Sequence, residues 1–176
     1  MIRTDRLSLR PLTRNDLNDF ARLHAEPQTM HDLGGPIPRV EAAAKLDRYL
    51  AARATHGFCR CHVSDAQGFV GYVGLMPRGE EYPIGPHVEI GWRLLPGVWG
   101  KGYATEAASA ILRDAFARGS HAEVLSYTGP DNCASQAVMA RLGLTRDETR
   151  DFGMDDPILG TWHGLVWVAS AADWRG

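Results

Sequence analysis

The run Val98-Trp99-Gly100-Lys101-Gly102-Tyr103-Ala104-Thr105-Glu106-Ala107 decides how this chain reads. Ahead of it, Val88-Glu89-Ile90-Gly91-Trp92-Arg93-Leu94-Leu95 places large apolar residues at Val88, Ile90, Trp92 and Leu94, the period of a strand with one buried face. Behind it, Ala104, Ala107, Ala108, Ile111, Leu112, Ala115 and Phe116 recur at helical spacing to about residue 117. Strand, Pro96-Gly97 break, two glycines one residue apart, then an amphipathic helix: such a turn leaves backbone N–H groups unpaired at a helix start. The helix dipole adds to their pull on phosphate. Two familiar phosphate loops do not fit. A Walker A loop needs glycine where Leu95 stands and Ser or Thr where Gly102 stands. A dinucleotide fingerprint needs a third glycine where Thr105 stands.

A length of 176 residues predicts one domain, 1–176, with room for a proper core. The net charge of −2 argues against nucleic acid as a partner, which would need a basic stripe. No apolar run reaches membrane-spanning length and the first residues show no secretory h-region, so a cytoplasmic protein with no membrane partner is expected. Three cysteines make a disulfide framework unexpected there. Cys59 and Cys61, with His56 and His62 nearby, raise the question of metal. A structural zinc site needs two ligand pairs, and Cys133 stands alone, so no metal is expected. Cys59 and Cys61 read instead as small apolar residues on one side of a strand.

In chain order, residues 6–12 alternate as a first strand closed by Pro11. Thr13 to Asp16 is an N-cap with an acid three residues on, opening a helix with Leu17, Phe20, Ala21 and His24 on one face. A loop from Met30 to Pro38 leads into a second helix over about 39–55, ended by Gly57. Strands follow at about 58–64, 68–76 and 87–95. After the glycine loop and its helix come a strand over 122–128, a helix over 133–142 stopped by Gly143, and strands near 145–152 and 161–169 separated by Pro157 and Gly160. The order βααβββαβαββ predicts one α/β (α+β) layered domain, a mostly antiparallel sheet of about seven strands flanked by about four helices.

Three stretches carry a family resemblance. Trp99-Gly100-Lys101-Gly102-Tyr103-Ala104-Thr105-Glu106-Ala107 resembles the pyrophosphate loop of the GNAT-type N-acetyltransferases, in the branch that modifies ribosomal-protein N-termini (RimJ/RimL-like). Asn132-x-x-Ser135-x-x-Val138-x-x-Arg141-Leu142-Gly143-Leu144 resembles that family's later helix, and Thr4-x-Arg6-Leu7-x-Leu9-Arg10-Pro11-Leu12 its first strand. The resemblance implies a GNAT-like fold and acetyl-CoA as co-substrate. It further implies that the strand before the loop bulges and splays over Trp92 to Leu95, so that Trp92, Leu94 and Leu95 meet the pantetheine arm. The pyrophosphate would then lie on the amides of about Val98 to Tyr103, with Gly100, Lys101, Gly102 and Ala104 in the cradle and Lys101 adding charge. The family often has Arg or Gln where this chain has Gly97, so no side-chain phosphate contact comes from there. Asn132 and Ser135 map to positions that touch coenzyme A in relatives, and Asn132 also suits a helix N-cap. Many members carry a tyrosine where Met139 stands, as acid for the leaving thiolate. In the RimL-like branch the motif serine has been given that role, which makes Ser135 the candidate, with Tyr103 and Tyr127 as spare hydroxyls.

An amine acceptor must lose a proton before it attacks a thioester. Glu89 lies on the strand face opposite Val88 and Ile90 and is the candidate base. Its alternative is a solvated strand carboxylate. Two functions follow: an N-acetyltransferase working by direct transfer in a ternary complex, or a catalytically silent coenzyme A-binding sensor or interaction domain. The acceptor amine is open between a protein N-terminus and small molecules. The loops at about 27–38 and 77–86 carry Asp32, Glu80 and Glu81 beside His31, which would favour a cationic acceptor, unless the acids serve solubility alone. Dimers are frequent in the resembled family, and Trp162, Trp167 and Trp174, read as exposed, could serve a homodimer interface as easily as the core.

Overall fold

A computed structural model of the chain describes residues 1–156 and 160–175, so Pro157 lies outside the described residues. The elements are β1 (Ile2–Arg3), β2 (Ser8–Pro11), α1 (Leu17–His24), α2 (Pro27–Met30), α3 (Arg39–His56), β3 (Arg60–Asp65), β4 (Gly68–Arg78) and β5 (His87–Leu94), then α4 (Tyr103–Ala117), β6 (Glu123–Thr128), α5 (Cys133–Arg141), β7 (Thr145–Arg146), β8 (Phe152–Asp156) and β9 (Gly160–Ser170). Setting aside β1 and α2 and joining β7 to β8 leaves the expected order. The additions have local causes. Pro27 at the first turn and Glu26 accepting from the Gln28 amide start α2 inside the expected loop region. Asp147 caps a short 3₁₀ turn, Glu148–Arg150, that divides the expected 145–152 strand.

The strands run in the order β1-β2-β3-β4-β5-β6-β9-β7, with β8 paired to β9 off that path. Every neighbouring pair is antiparallel except β5 and β6. A parallel pair needs a long crossover, and α4 lies in it. The β5–β6 ladder holds at one register pair, Glu89 with Leu125, so the C-terminal half of β5 is unpaired on that side. This is the splay the resemblance implied. The bulge lies on the neighbouring strand instead. Along β3, Val63 faces Gly71 and Ser64 faces Phe69, which leaves Val70 of β4 as the extra residue. A Cβ on Gly71 would sit 2.2 Å from the Arg93 carbonyl oxygen, so only glycine lets β4 pass β5 there.

The alternation in β5 buries Ile90 and Leu94 in one core, with Val88 and Trp92 against its edge, beside Ala107, Ala108, Ile111 and Leu112 of α4. Full burial of a side chain such as Ile90 contributes roughly 1.5–3 kcal/mol. A second core on the opposite sheet face joins Phe20 and Leu23 of α1, Leu46 and Tyr49 of α3, and Tyr72 and Met76 of β4. Gly57 ends α3 in the left-handed conformation (φ 82°), its amide donating to the Arg53 carbonyl at 2.8 Å.

Two expectations are corrected here. Cys59 packs in the second core and Cys61 against the first, because β3 begins only at Arg60 and strand alternation does not reach Cys59. The three late tryptophans are half-buried rather than exposed. Trp174 donates to the Leu142 carbonyl at 2.7 Å, and Trp162 packs on Phe152 and Tyr127. No helix among the described residues is long and apolar enough to cross a membrane, and none of their His, Cys, Asp and Glu side chains form a group of three or more able to hold a metal ion.

Candidate active site

The glycine loop turns as its sequence requires. Gly100 and Gly102 adopt φ of 75° and 79°, and Gly102 is the N-cap of α4. Glu106 is the first amide to reach back into the turn, donating to the Gly102 carbonyl at 3.0 Å. The amides of Tyr103, Ala104 and Thr105 ahead of it therefore have no acceptor within the helix. Of the amides expected in the cradle, those of Val98, Trp99 and Lys101 are spent within the turn, on the Leu95, Pro96 and Val98 carbonyls. An outer brace holds the loop. Glu106 accepts from the Thr4 hydroxyl at 2.5 Å, the Arg6 amide at 3.1 Å and Arg6 Nε at 2.7 Å, while Arg6 Nη1 donates to the Lys101 carbonyl at 2.8 Å.

Beside the loop a cleft of about 560 Å³ follows the splay between β5 and α5. Of the residues expected at the cofactor, Trp92, Leu94, Val98, Gly100, Gly102, Tyr103, Ala104, Asn132 and Ser135 line it. Leu95 and Lys101 do not: Leu95 packs against the second core and Lys101 is exposed. The Leu94 carbonyl is already used, accepting from the Trp99 indole at 2.8 Å. Asn132 caps α5, its Oδ1 accepting from the Ser135 amide at 3.0 Å, and its Nδ2 donates to Asp32 at 3.1 Å. Arg93 and Thr29 line the cleft without having been anticipated. Arg93 donates to the Thr29 carbonyl and, at 2.7 Å, to Asp32, tying β5 to α2.

A second cavity of about 550 Å³ opens on the α3 side of β5 and shares Asp32, Trp92, Arg93, Asn132 and Ser135 with the first. Glu89 sits in its wall, buried on a central strand rather than solvated at an edge. Arg60 Nη2 donates to its Oε1 at 2.7 Å, and Arg78 Nε donates to its Oε2 at 2.6 Å. Burial alone would push this carboxyl upward, but the two guanidinium groups outweigh it and hold the pKa at about 2. A carboxylate so placed is a weak proton acceptor. The Tyr127 hydroxyl lies 3.4 Å from Glu89 Oε2, and burial, then the Glu89 charge, push its pKa far up, which makes it a poor acid. The Tyr103 hydroxyl is turned to Asp65 at 3.4 Å.

A phosphate-type loop, a strand edge left free beside it and a second cavity meeting the first define an enzyme that passes a group from a long cofactor to an acceptor. The sequence model of the Acetyltransferase (GNAT) domain matches residues 6–145, and the chain belongs to that family, whose members use acetyl-CoA. It is an N-acetyltransferase. It is 36% identical over 173 residues to the FsC-acetyl coenzyme A-N(2)-transacetylase of Aspergillus fumigatus, covering 94% of this chain and 73% of that protein. The acetyltransferase of Agrobacterium tumefaciens str. C58 superposes with a TM-score of 0.78 at 30% identity, covering 96% of this chain and 92% of that one. RimL, the ribosomal L7/L12 alpha-N-protein acetyltransferase, in complex with coenzyme A, gives a TM-score of 0.74 at 15% identity, with 95% of each chain covered. At that identity RimL shares the fold, and its branch is one of several to which the chain is similar.

Proposed function

We propose that the chain, as one catalytic domain, moves the acetyl group of acetyl-CoA directly to a primary amine while both are bound. The meeting of the two cavities at Trp92, Asn132 and Ser135 carries this reading, since a thioester entering from the loop side and an amine from the α3 side converge there. The pyrophosphate rests on the free amides of Gly102 to Thr105, and the pantetheine arm runs along the unpaired edge of β5. Ser135 protonates the departing thiolate. Glu89 is a positioning residue that holds Arg60 and Arg78 in the acceptor wall, and the amine loses its proton to water. The name of the Aspergillus relative, an N(2)-transacetylase, supports nitrogen as the accepting atom.

Cys133 is exposed and lines neither cavity, which supports direct transfer over a covalent acyl-enzyme. Initial-rate kinetics with thiol detection tests the scheme. Intersecting double-reciprocal lines are expected, whereas parallel lines would establish an acyl-enzyme. Coenzyme A binding without thiol release for any amine would return the silent binding domain.

A further inference from the structure

We propose that the α3 side of the second cavity is an oxyanion subsite, so that the amine acetylated here carries a carboxylate or phosphate on the same molecule. The proposal rests on the acetyltransfer reading and names its acceptor class.

The charges around the cavity lead to it. Arg93 and Asp32 neutralise each other at 2.7 Å. Arg60 and Arg78 share a single carboxylate, Glu89, and leave one positive charge over. Glu81, on the exposed connector after β4, turns its carboxylate to the Gly79 amide at 3.2 Å. Lys45 and Arg48 remain, at i and i+3 on α3 and both in the cavity wall, with no ion pair or hydrogen bond among the described residues. Asp32 is thus paired and Glu80 lies outside the cavity; Glu81 keeps its charge in the wall, so five cationic side chains still face three carboxylates there.

Two further observations show that this positive region lacks a partner. Arg60 Nε is buried without an acceptor, although its side chain is only 4% exposed. The Lys45 ammonium is disfavoured chiefly by burial; Tyr49 opposes this, while Arg93, Arg48 and Arg60 each add a smaller push in the same direction as burial. Like charges gathered in a half-buried wall repel strongly, and a buried donor without an acceptor is costly. An oxyanion seated between α3 and β5 relieves the repulsion, while its amine reaches the mouth shared with the cofactor cleft.

Matched acceptors test this: phenylalanine against phenylalaninamide, O-phosphoethanolamine against ethanolamine, with spermidine as the cationic comparison. In at least one pair the anionic member should show kcat/KM about tenfold or more above its neutral partner, and the two pairs tell carboxylate from phosphate. In the double variant Lys45→Met/Arg48→Met the ratio should fall to within about twofold through KM for the acceptor, and Arg48→Lys should retain it. A preference for spermidine or the neutral members, or an unchanged ratio in the double variant, overturns the subsite. Calorimetry with coenzyme A present reads the subsite without turnover. N-acetylphenylalanine or N-acetyl-O-phosphoethanolamine should bind about tenfold tighter than its neutral counterpart, and equal binding in both pairs overturns the proposal. Anion-selective binding with no thiol release for any amine would sink the acetyltransfer reading and leave the subsite standing.

Discussion

Gly91 makes room for Arg60: a Cβ built on Gly91 would lie 2.7 Å from Arg60 Nη2 and 2.8 Å from Glu89 Oε1. The missing side chain lets a guanidinium from β3 lie across β5 and reach the carboxylate two residues back. Gly91→Ala should push Arg60 off Glu89 and cost roughly 1–3 kcal/mol, as overpacking of a filled interior does. Denaturant titration reads the loss, and an unaltered midpoint would mean that the clamp moves aside freely.

Glu89→Gln separates positioning from base catalysis. A glutamine must turn its NH₂ toward one of the two guanidinium groups, leaving buried positive charge uncompensated, at about 3–5 kcal/mol. Lower Tm and raised acceptor KM are expected, with a rate defect that high pH does not repair. A wild-type Tm with turnover down roughly a hundred- to ten-thousand-fold, recovering as pH rises, would make Glu89 the base after all.

Gly102→Glu tests the cradle. The residue sits at φ 79°, where a side chain is strained, and the substitution places a negative charge beside the free amides of the turn. Coenzyme A binding should vanish in calorimetry while the far-UV spectrum keeps its native shape. Affinity close to wild type would remove the loop from the site.

Coenzyme A should raise the native melting temperature, since a ligand confined to the folded state stabilises by about 2.7 kcal/mol at a hundredfold excess over Kd. ATP or NAD giving the larger shift would contradict the reading of the loop.

His24 supplies a pH dependence. It is fully buried between Phe20 and Tyr72, Nδ1 on the Phe20 carbonyl at 2.8 Å and Nε2 without a partner. Burial first, then the charge of Lys45, lower its pKa from 6.5 to about 4. The unfolded chain binds more protons between those values. Stability is therefore complete above pH 6.5 and falls as pH drops toward 4, by on the order of 3 kcal/mol. In His24→Leu the slope across that window should flatten, with a remainder from His62, also lowered by burial. An unchanged slope would place the acid sensitivity elsewhere.

What could be read from the sequence was local. The alternation of Val88, Ile90, Trp92 and Leu94 and the glycine pair at 100 and 102 express their structure within a few residues, so β5, the turn and α4 stood out. Arg93 with Asp32 spans 61 positions and Arg60 with Glu89 spans 29, and such pairs leave no periodic trace. Glu89 was therefore visible as a central-strand acid, while its partners, which decide its basicity, were not. The pairing of Asp32 with Arg93 was hidden in the acidic look of its loop for the same reason. A signal for the break at Asp147-Glu148-Thr149 was present, since aspartate at an N-cap is a local cue, but alternation through 145–152 outweighed it.

Glu106 receives its bonds from Thr4 and Arg6, about a hundred positions earlier. The cofactor pocket is thereby tethered to a stretch of chain that never enters it. A protease nick between Asp5 and Leu7, or a bulky fusion crowding Thr4, would leave the cleft lining untouched yet loosen the turn behind the phosphates. Preparations damaged there would look folded and elute normally, and would be recognised by their failure to stay on a coenzyme A resin.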